Sequence, residues 1–406
     1  MTGFVGGTGT AYAVPQTEIG IAKETTKGTP VAQPSYWIPV KAPDYTPDLT
    51  LIPDDTLQGS MVSIYNLTPG MRLDKHGWSS YPYLDSFPLF VMAELGSPDN
   101  KTAAASPTTL YVAYTTAGQA TIETNASVAA GQYIVIDNTT GSIESNRVVS
   151  VAGSGAPYTL TLAWPTIFPH GVGAPVTPLT QHAFSLLNNA GVGNQPPSLT
   201  ITDYDGEEWR QIAAAQMDEL TIKGNATGLV TYTVTFMGNP SITPATPSVS
   251  YTTTRAVPGW AAELSIGGGT YIPYITEWEF DFKRGTEPIP ALTGGQEYYE
   301  YFASTLECTG KITVVEQTLA PQLTQYLNGS TQALDFNLFD VTKGNLLNIH
   351  STYSMWKTGK LDRSKKYVDV PLEVQMIPST ADANTGNGGG VSPVAITIAN
   401  AVTTTY

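Results

Sequence analysis

Apolar and polar residues alternate along several segments of the chain, with the period of two that is typical of a β-strand with one buried face. The clearest segment runs from Val230 to Phe236, where apolar residues alternate with threonines. Residues 277–283 and 368–376 repeat the pattern with charged residues on the polar side. Such half-buried strands build antiparallel sheets whose other face is wet. We therefore predict an all-β fold, an antiparallel β-sandwich or barrel.

Two segments depart from the alternation and predict one or two short helices. In residues 85–96, Pro88 fits a first helical turn, apolar residues follow at helical spacing, and Gly96 can end the helix. In residues 318–328, Leu319, Leu323 and Tyr326 share one helical face.

Turn-forming residues divide the chain into four parts. Residues 1–34 are rich in Gly, Thr and Pro and predict an N-terminal arm. Residues 97–188 hold short strands between Gly, Ser and Asn turns, and they predict a small β module inserted into a larger domain of residues 35–96 and 189–378. Residues 379–406 predict a flexible linker and then an isolated strand at 394–398, which we expect to pair with another chain.

Composition narrows the possible functions. The 406 residues include 34 Asp and Glu against 19 Lys and Arg, a net charge of −15. Such a chain is not expected to wrap nucleic acid, because phosphate binding draws on clustered Lys and Arg. No apolar run approaches the ~18–20 residues of a membrane span, and the first residues lack a secretion signal. A single cysteine, Cys308, excludes an internal disulfide framework and a cysteine-based zinc site.

One group of carboxylates deserves weighing as an active site. Glu277, Glu279 and Asp281 lie at i, i+2 and i+4 on one strand face. Neighbouring carboxylates in this arrangement are roughly 6.6 Å apart, between the separations of retaining and inverting glycosidases. A solvated strand face is the favoured interpretation.

The other candidate residues also favour structural roles. Residues 203–208 resemble part of a calcium loop but lack its regular ligands, so they predict a tight turn. The four histidines are isolated, and Cys308 has no neighbouring histidine. Nucleotide-binding loops of the Gly-Lys-Ser/Thr type are absent. We therefore expect no catalytic residue, no metal and no cofactor.

Several sequence blocks carry a family resemblance. The block IAKETTKGTP at residues 21–30 is followed by WIPV at 37–40 and LQGS at 57–60. Further blocks lie at residues 69–70, 94–96, 198–201, 218–222, 235–238, 272–282 and 309–317. In these blocks the chain resembles the major tail tube proteins of long, non-contractile-tailed bacteriophages, over most of residues 20–96 and 190–378.

The predicted insert has a resemblance of its own. It contains GQYIVI at residues 131–136, NRVV at 146–149, LTL at 160–162, and a Gly- and Pro-rich stretch at 165–176. This pattern is similar to a small β module that recurs in phage virion proteins. The resemblance implies that the module lies outside the tube wall.

The resemblance implies a structural protein of the virion tail, made in the host cytoplasm. Six copies would close into a ring, and stacked rings would form a tube through which DNA passes without specific binding. The other implied partners are tail proteins such as the tape measure and the tail terminator, with no membrane. The strand pairs at residues 217–238 and 272–316 are our candidates for the inner wall, and Glu277, Glu279 and Asp281 for an acidic strand lining the bore.

Two other functions compete with this one. An acidic β-sandwich adhesin or carbohydrate-binding surface protein predicts a monomer with an exposed aromatic platform. A glycoside hydrolase using Glu277 and Glu279 predicts turnover of a polysaccharide.

Overall fold

The computed structural model describes most of the chain. It covers residues 16–96, 99–137, 142–188, 193–267, 272, 274–292, 294–316, 321–340, 344–384, 386 and 388–406.

Twenty-four strands account for most of the regular structure in these residues. In chain order they are β1 (Glu18–Lys23), β2 (Tyr36–Ile38), β3 (Ala42–Asp54), β4 (Asn66–Ser80), β5 (Asn100–Thr102), β6 (Thr108–Thr109), β7 (Thr121–Thr124), β8 (Tyr133–Ile136), β9 (Glu144–Ala152), β10 (Tyr158–Leu162), β11 (Pro175–Pro178), β12 (Thr180–Ser185), β13 (Leu199–Tyr204), β14 (Trp209–Asn225), β15 (Thr231–Gly238), β16 (Ala262–Ile266), β17 (Ile275–Lys283), β18 (Glu287–Ile289), β19 (Glu300–Phe302), β20 (Glu307–Val315), β21 (Gln332–Phe339), β22 (Leu346–Gly359), β23 (Asp369–Ile377) and β24 (Ala395–Asn400). The prediction of an all-β fold is confirmed.

Sixteen of the described strands form one antiparallel sheet that curls into a nearly closed barrel. Its main path runs β2-β1-β13-β14-β17-β20-β23-β22-β24-β12-β5. Strands β15, β4 and β3 extend it from β14, while β21 and β16 extend it from β22. Strands β18 and β19 pair separately as a small hairpin.

Two long strands turn the sheet back on itself. The first half of β14 pairs with β13, and its second half pairs with β15 and β17. The change of partner coincides with a positive φ of 52° at Ala214 and a register shift between Met217 and Glu219. Irregularities of this kind bend a strand and increase its twist. Strand β22 behaves similarly, pairing first with β21 and β24 and then with β23. The enclosed side chains form one large core.

The helix predicted at residues 85–96 is present as α1 (Pro88–Leu95), and its side chains are buried in that core. Gly96 ends the helix with a φ of 73°. Arg284 donates from Nε to the Glu94 carbonyl at 2.8 Å and from a terminal nitrogen to the Leu95 carbonyl at 2.8 Å, which satisfies carbonyls left unpaired at a helix end. The second predicted helix, at residues 318–328, is present from residue 321 as α2 (Pro321–Asn328), and its predicted start at residues 318–320, with Leu319, lies outside the described part. No helix of the described residues has the length and apolar character that crossing a membrane requires.

The side chain of Glu94 is an unusual member of the core. It is 1% exposed, and neither carboxylate oxygen has a hydrogen-bond partner among the described residues. Burial raises the pKa of Glu94 well above its ordinary value; the Arg284 guanidinium acts against this, and the carboxylates of Asp218 and Glu219 add to it. The folded chain therefore keeps a proton that the unfolded chain loses near pH 4.5.

Because of this proton, we expect the free energy of unfolding to depend on pH, and Glu94→Gln should reduce that dependence. Because the folded-state pKa is raised, stability falls as the pH rises above the unfolded value. At pH 8 the neutral amide should increase the free energy of unfolding by roughly 1–3 kcal/mol. At about pH 4 the Glu94 carboxyl is mostly protonated in the folded and the unfolded chain, so the parent and Glu94→Gln should differ little in how their free energies of unfolding depend on pH. Urea unfolding of both chains at the two pH values measures this, with the exposed Glu307→Gln as control. An equal gain at both pH values would contradict the proposed protonation.

Residues 108–178 form a separate six-stranded sheet with its own core. The strand order is β6-β11-β8-β9-β10-β7, and the core includes Leu110, Ile122 and Leu160. We call this unit the module. It packs on the large sheet through Tyr133, Val135 and Trp164, which join the large core. The Trp164 ring lies 5.8 Å from that of Phe339, and the Ser145 hydroxyl donates to the Gly344 carbonyl.

The ends of the predicted insert, residues 97–188, do not belong to this module. Strands β5 and β12 pair with each other, and β12 also pairs with β24, so both belong to the large sheet. The structure therefore shifts the module's limits inward, to about residues 103 and 179. Whether the module is an independent, outward-facing domain stays a prediction.

The two predicted arms also differ from expectation. In the N-terminal segment 1–34, residues 18–23 form β1, which lies between β2 and β13, whereas residues 1–15 lie outside the described part. The expectation that the C-terminal strand lacks a partner in its own chain is wrong. Strand β24 lies between β12 and β22, and Ile396 and Ile398 are buried. The preceding linker is fastened by Asp382, which accepts hydrogen bonds from Thr352. All these partners are remote in sequence, so no local pattern indicated them.

Candidate functional site

Five adjacent strands of the large sheet, β15-β14-β17-β20-β23, present a continuous polar surface. We call it the polar face. Their inward side chains are buried, as Phe236, Leu220, Phe280, Ile312 and Val374 illustrate. Because side chains alternate along a strand, the intervening residues point to the opposite side. These are Thr231, Thr233, Thr235, Glu219, Thr221, Lys223, Asn225, Glu277, Glu279, Asp281, Lys283, Glu307, Thr309, Lys311, Thr313, Pro371, Glu373 and Gln375.

Close packing of two aromatic residues fixes the orientation of β17, the central strand. Trp278 lies opposite Gly224 on β14, and Phe280 lies opposite Gly310 on β20. A Cβ atom at Gly224 would lie 2.7 Å from the Trp278 ring, and one at Gly310 would lie 3.0 Å from the Phe280 ring. The rings therefore occupy the space that a side chain on either glycine would need. This packing directs Glu277, Glu279 and Asp281 to the polar face.

The register of these strands arranges charged residues in rows across the face. One row crosses four strands with alternating sign and consists of Lys223, Glu279, Lys311 and Glu373. A second row crosses three strands and consists of Glu219, Lys283 and Glu307. Between them runs a row of Thr233, Thr221, Asp281, Thr309 and Gln375. Directly opposite residues are close enough to interact, so each lysine of β17 and β20 has a carboxylate on both sides.

Two lysines make ion pairs on this face. Lys311 Nζ lies 2.5 Å from Glu279 Oε1 and 3.5 Å from Asp281 Oδ2. Lys283 Nζ lies 2.8 Å from Glu219 Oε1. The hydrogen bond with Glu279 raises the pKa of Lys311, and that with Glu219 raises the pKa of Lys283. Both lysines therefore remain charged at neutral pH, and their charge is balanced locally.

The three acidic residues singled out in the sequence share one side of β17 but differ in environment. Glu277 is exposed and Glu279 is half-buried. Asp281 is only 8% exposed and accepts a hydrogen bond from the Thr221 hydroxyl at 2.7 Å. That these residues line a bore stays a prediction.

One end of the polar face is grooved. A groove of about 650 Å³ crosses the strands. Its lining includes Thr231, Lys223, Glu277, Lys311 and Glu373 from five adjacent strands. The polar face carries six carboxylates against three lysines, and an open polar surface of this kind suits contact with a large hydrated object better than tight binding of a small molecule.

The remaining candidate residues lie apart from this face. Each histidine has a carboxylate neighbour, at distances from 2.7 Å for His182 to 3.6 Å for His76. No group of three or more His, Cys, Asp or Glu side chains in the described ranges is arranged to hold a metal. Burial raises the pKa of the Cys308 thiol well above its ordinary value, which disfavours a nucleophilic thiolate. Residues 203–208 connect β13 and β14 by a tight turn in which Asp205 accepts two backbone hydrogen bonds, as predicted.

A second surface was missed in the sequence. Strands β3 and β4 pair with each other over their whole length, from Ala42 opposite Ser79 to Asp54 opposite Asn66. Only residues 74–80 of β4 also pair with β15. The distal part of this hairpin, residues 49–67, therefore projects beyond the sheet. It exposes apolar side chains, led by Leu57 and Met61 at 96% and 104%, and including Leu49, Leu51, Ile52, Val62, Ile64 and Leu67. We call it the projecting hairpin. No local pattern in the sequence indicated that this hairpin leaves the sheet.

Comparison with known proteins gives a family. A family model described as Phage tail tube protein matches residues 166–397, more than half of the chain. The matched stretch contains every strand of the polar face and most of the strands that enclose the core. No curated protein matches the chain.

Proposed function

The chain belongs to the phage tail tube protein family, and from that premise we propose that it self-assembles into stacked hexameric rings forming the tail tube of a siphovirus-like phage. The tube would conduct DNA during genome ejection into the host. The chain is a structural component of a phage tail, and this role assigns no catalytic residue. Tape measure and tail terminator proteins would be its other partners, and synthesis would take place in the host cytoplasm.

The projecting hairpin is the observation that carries self-assembly. Monomeric proteins rarely expose a contiguous apolar surface of this kind, and an uncovered strand pair invites association. In a tube, the neighbour available at every position is a second copy of this chain. We infer that the hairpin packs against an adjacent copy, which would bury Leu57 and Met61.

The polar face supports the conduit. Sheets with one polar side can be placed side by side to make a wall, and ring closure removes free sheet edges. With its lysines balanced by carboxylates, such a wall would offer phosphate few unpaired cations. Glu277, Glu279 and Asp281 would then border the DNA path, so duplex DNA could slide without being held.

Self-assembly is tested most directly by size-exclusion chromatography with negative-stain electron microscopy of the purified chain. Tubes or rings support the proposal. A stable monomer that binds polysaccharide would favour the adhesin. The described tryptophans speak against that alternative, because Trp260 alone is exposed and the others are buried or half-buried.

The module's position is tested by removing it at the limits that the structure sets. Thr102 and Gln181 lie opposite each other in β5 and β12, so a short Gly/Ser loop can replace residues 104–178. We expect tubes of unchanged inner diameter, because the module would lie outside the wall. Electron microscopy of the assembled variant measures this.

A longer deletion serves as the comparison. Replacing residues 97–188 also removes β12 and leaves one edge of β24 unpaired. That variant should fold poorly, whereas the shorter deletion should not. Loss of rings by a well-folded shorter deletion would place the module in the wall.

A further inference from the structure

Glu279 lies between two lysines on the polar face. In the strand register it is opposite Lys223 on β14 and opposite Lys311 on β20. Its carboxylate contacts Lys311 at 2.5 Å. Glu279 is thus opposite both cations in the register, and Lys311 has Glu373 on its other side.

Stability gives little reason for this arrangement. The Lys311 side chain is 57% exposed and that of Glu279 is 27% exposed. Ion pairs at such positions contribute about 0–1 kcal/mol to folding. The larger consequence is electrostatic, since an unbalanced lysine on this face is a contact point for phosphate.

We propose that Glu279 is a positioning residue that prevents Lys223 and Lys311 from holding the phosphates of duplex DNA. The inference rests on the proposed function, in which DNA passes along this face. A conduit must not retain DNA, and the inference attributes this property to the carboxylate of Glu279. Lysine ammonium groups supply affinity for phosphate; the Glu279 carboxylate contacts that of Lys311 and lies on the residue opposite Lys223.

Glu277 offers a matched control on the same strand. It lies two residues before Glu279 and points to the same side, but its row neighbours are Asn225 and Thr313. Glu277→Gln and Glu279→Gln therefore remove the same charge from the same face. Only Glu279→Gln removes a carboxylate that lies opposite lysines. It leaves Lys223 with no carboxylate opposite it, whereas Lys311 keeps Glu373 and Asp281.

The experiment measures binding of the full-length chain to a fluorescent duplex of about 20 base pairs by anisotropy across a salt series. Each phosphate contact adds about −0.9 to the slope of log affinity against log salt, so release of Lys223 adds about −0.9, and weaker neutralisation of Lys311 brings the total up to about −1.8. Over a tenfold rise in salt, affinity of Glu279→Gln should fall up to about 60-fold more than that of the parent. Glu277→Gln should keep the parental slope.

Two further variants separate charge from structure. Glu279→Asp retains the carboxylate and should restore the parental slope. Adding Lys223→Gln to Glu279→Gln should remove at least half of the added slope. Circular dichroism melting should show that all of these variants fold like the parent.

Equal salt slopes of duplex affinity for Glu279→Gln and Glu277→Gln would overturn the inference. This result does not depend on the ejection rate of virus particles. An added slope that Lys223→Gln leaves unchanged would also overturn the inference. Failure of the proposed function is a different result. If Glu279→Gln binds DNA as expected but particles carrying it eject at the parental rate at low salt, the inference stands and the face does not border the DNA path.

Discussion

Tubes should not form when the projecting hairpin is shortened. Ile52 and Thr68 are opposite each other in β3 and β4, so replacing residues 53–67 by Asn-Gly should close the strands with a two-residue type I′ turn. The removed segment makes no strand pairs outside the hairpin in the described structure, so the chain should fold normally. Size-exclusion chromatography should give a monomer, and electron microscopy should find no tubes.

A milder change tests the apolar contacts alone. Leu57→Ser with Met61→Ser removes two exposed apolar side chains. Burial of one such side chain is worth about 1.5–3 kcal/mol. Loss of both should therefore raise the concentration needed for assembly by at least roughly 100-fold. Gln58→Ser with Ser63→Ala, in the same loop, should have little effect. Normal assembly of the shortened chain would show that copies associate through another surface.

DNA ejection should become slow at low salt in particles carrying Glu277→Lys and Glu279→Lys. Each substitution reverses a charge on the polar face, and the second inserts a lysine between Lys223 and Lys311. If six copies form each ring, the change repeats around the bore and along every ring of the tube. Each new phosphate contact adds about −0.9 to the salt slope of duplex affinity, so many weak contacts together become retentive.

Assembly should survive these changes, since surface substitutions on a strand typically cost only ~0.5 kcal/mol. Ejection rates measured over a salt series should recover towards the parental value as salt rises. Particles with Glu307→Gln, which alters the same face without adding a cation, are the control. Parental rates at every salt concentration would show that the face looks away from the bore.

The alternation along β15, β17 and β23 was enough to predict the fold class. It also predicted which side of each strand is buried and which is polar. A period of two determines which side chains share a face, because successive residues of a strand point in opposite directions. Glu277, Glu279 and Asp281 were grouped correctly for this reason. The helix ending at Gly96 was also predictable from local sequence, because the apolar spacing and the terminal glycine that indicate it lie within one segment.

The partners of those strands were decided only by the tertiary structure. Local periodicity contains no information about which remote strand lies alongside, or in which register. Lys311 lies beside Glu279 only because β20 pairs with β17 and does so in this register. A different register would leave the same residues on the same face with different neighbours.

The sequence by itself therefore determined an all-β chain with a polar strand face, and its family resemblance pointed to a tail tube. The tertiary structure decided that β24 completes its own sheet and that the hairpin of β3 and β4 projects from it. The physical reason is that side-chain direction follows from neighbours in sequence, whereas strand pairing and exposure depend on residues far apart along the chain. Burial of Ile396 and exposure of Leu57 are outcomes of those distant contacts, and apolar character alone could not distinguish them.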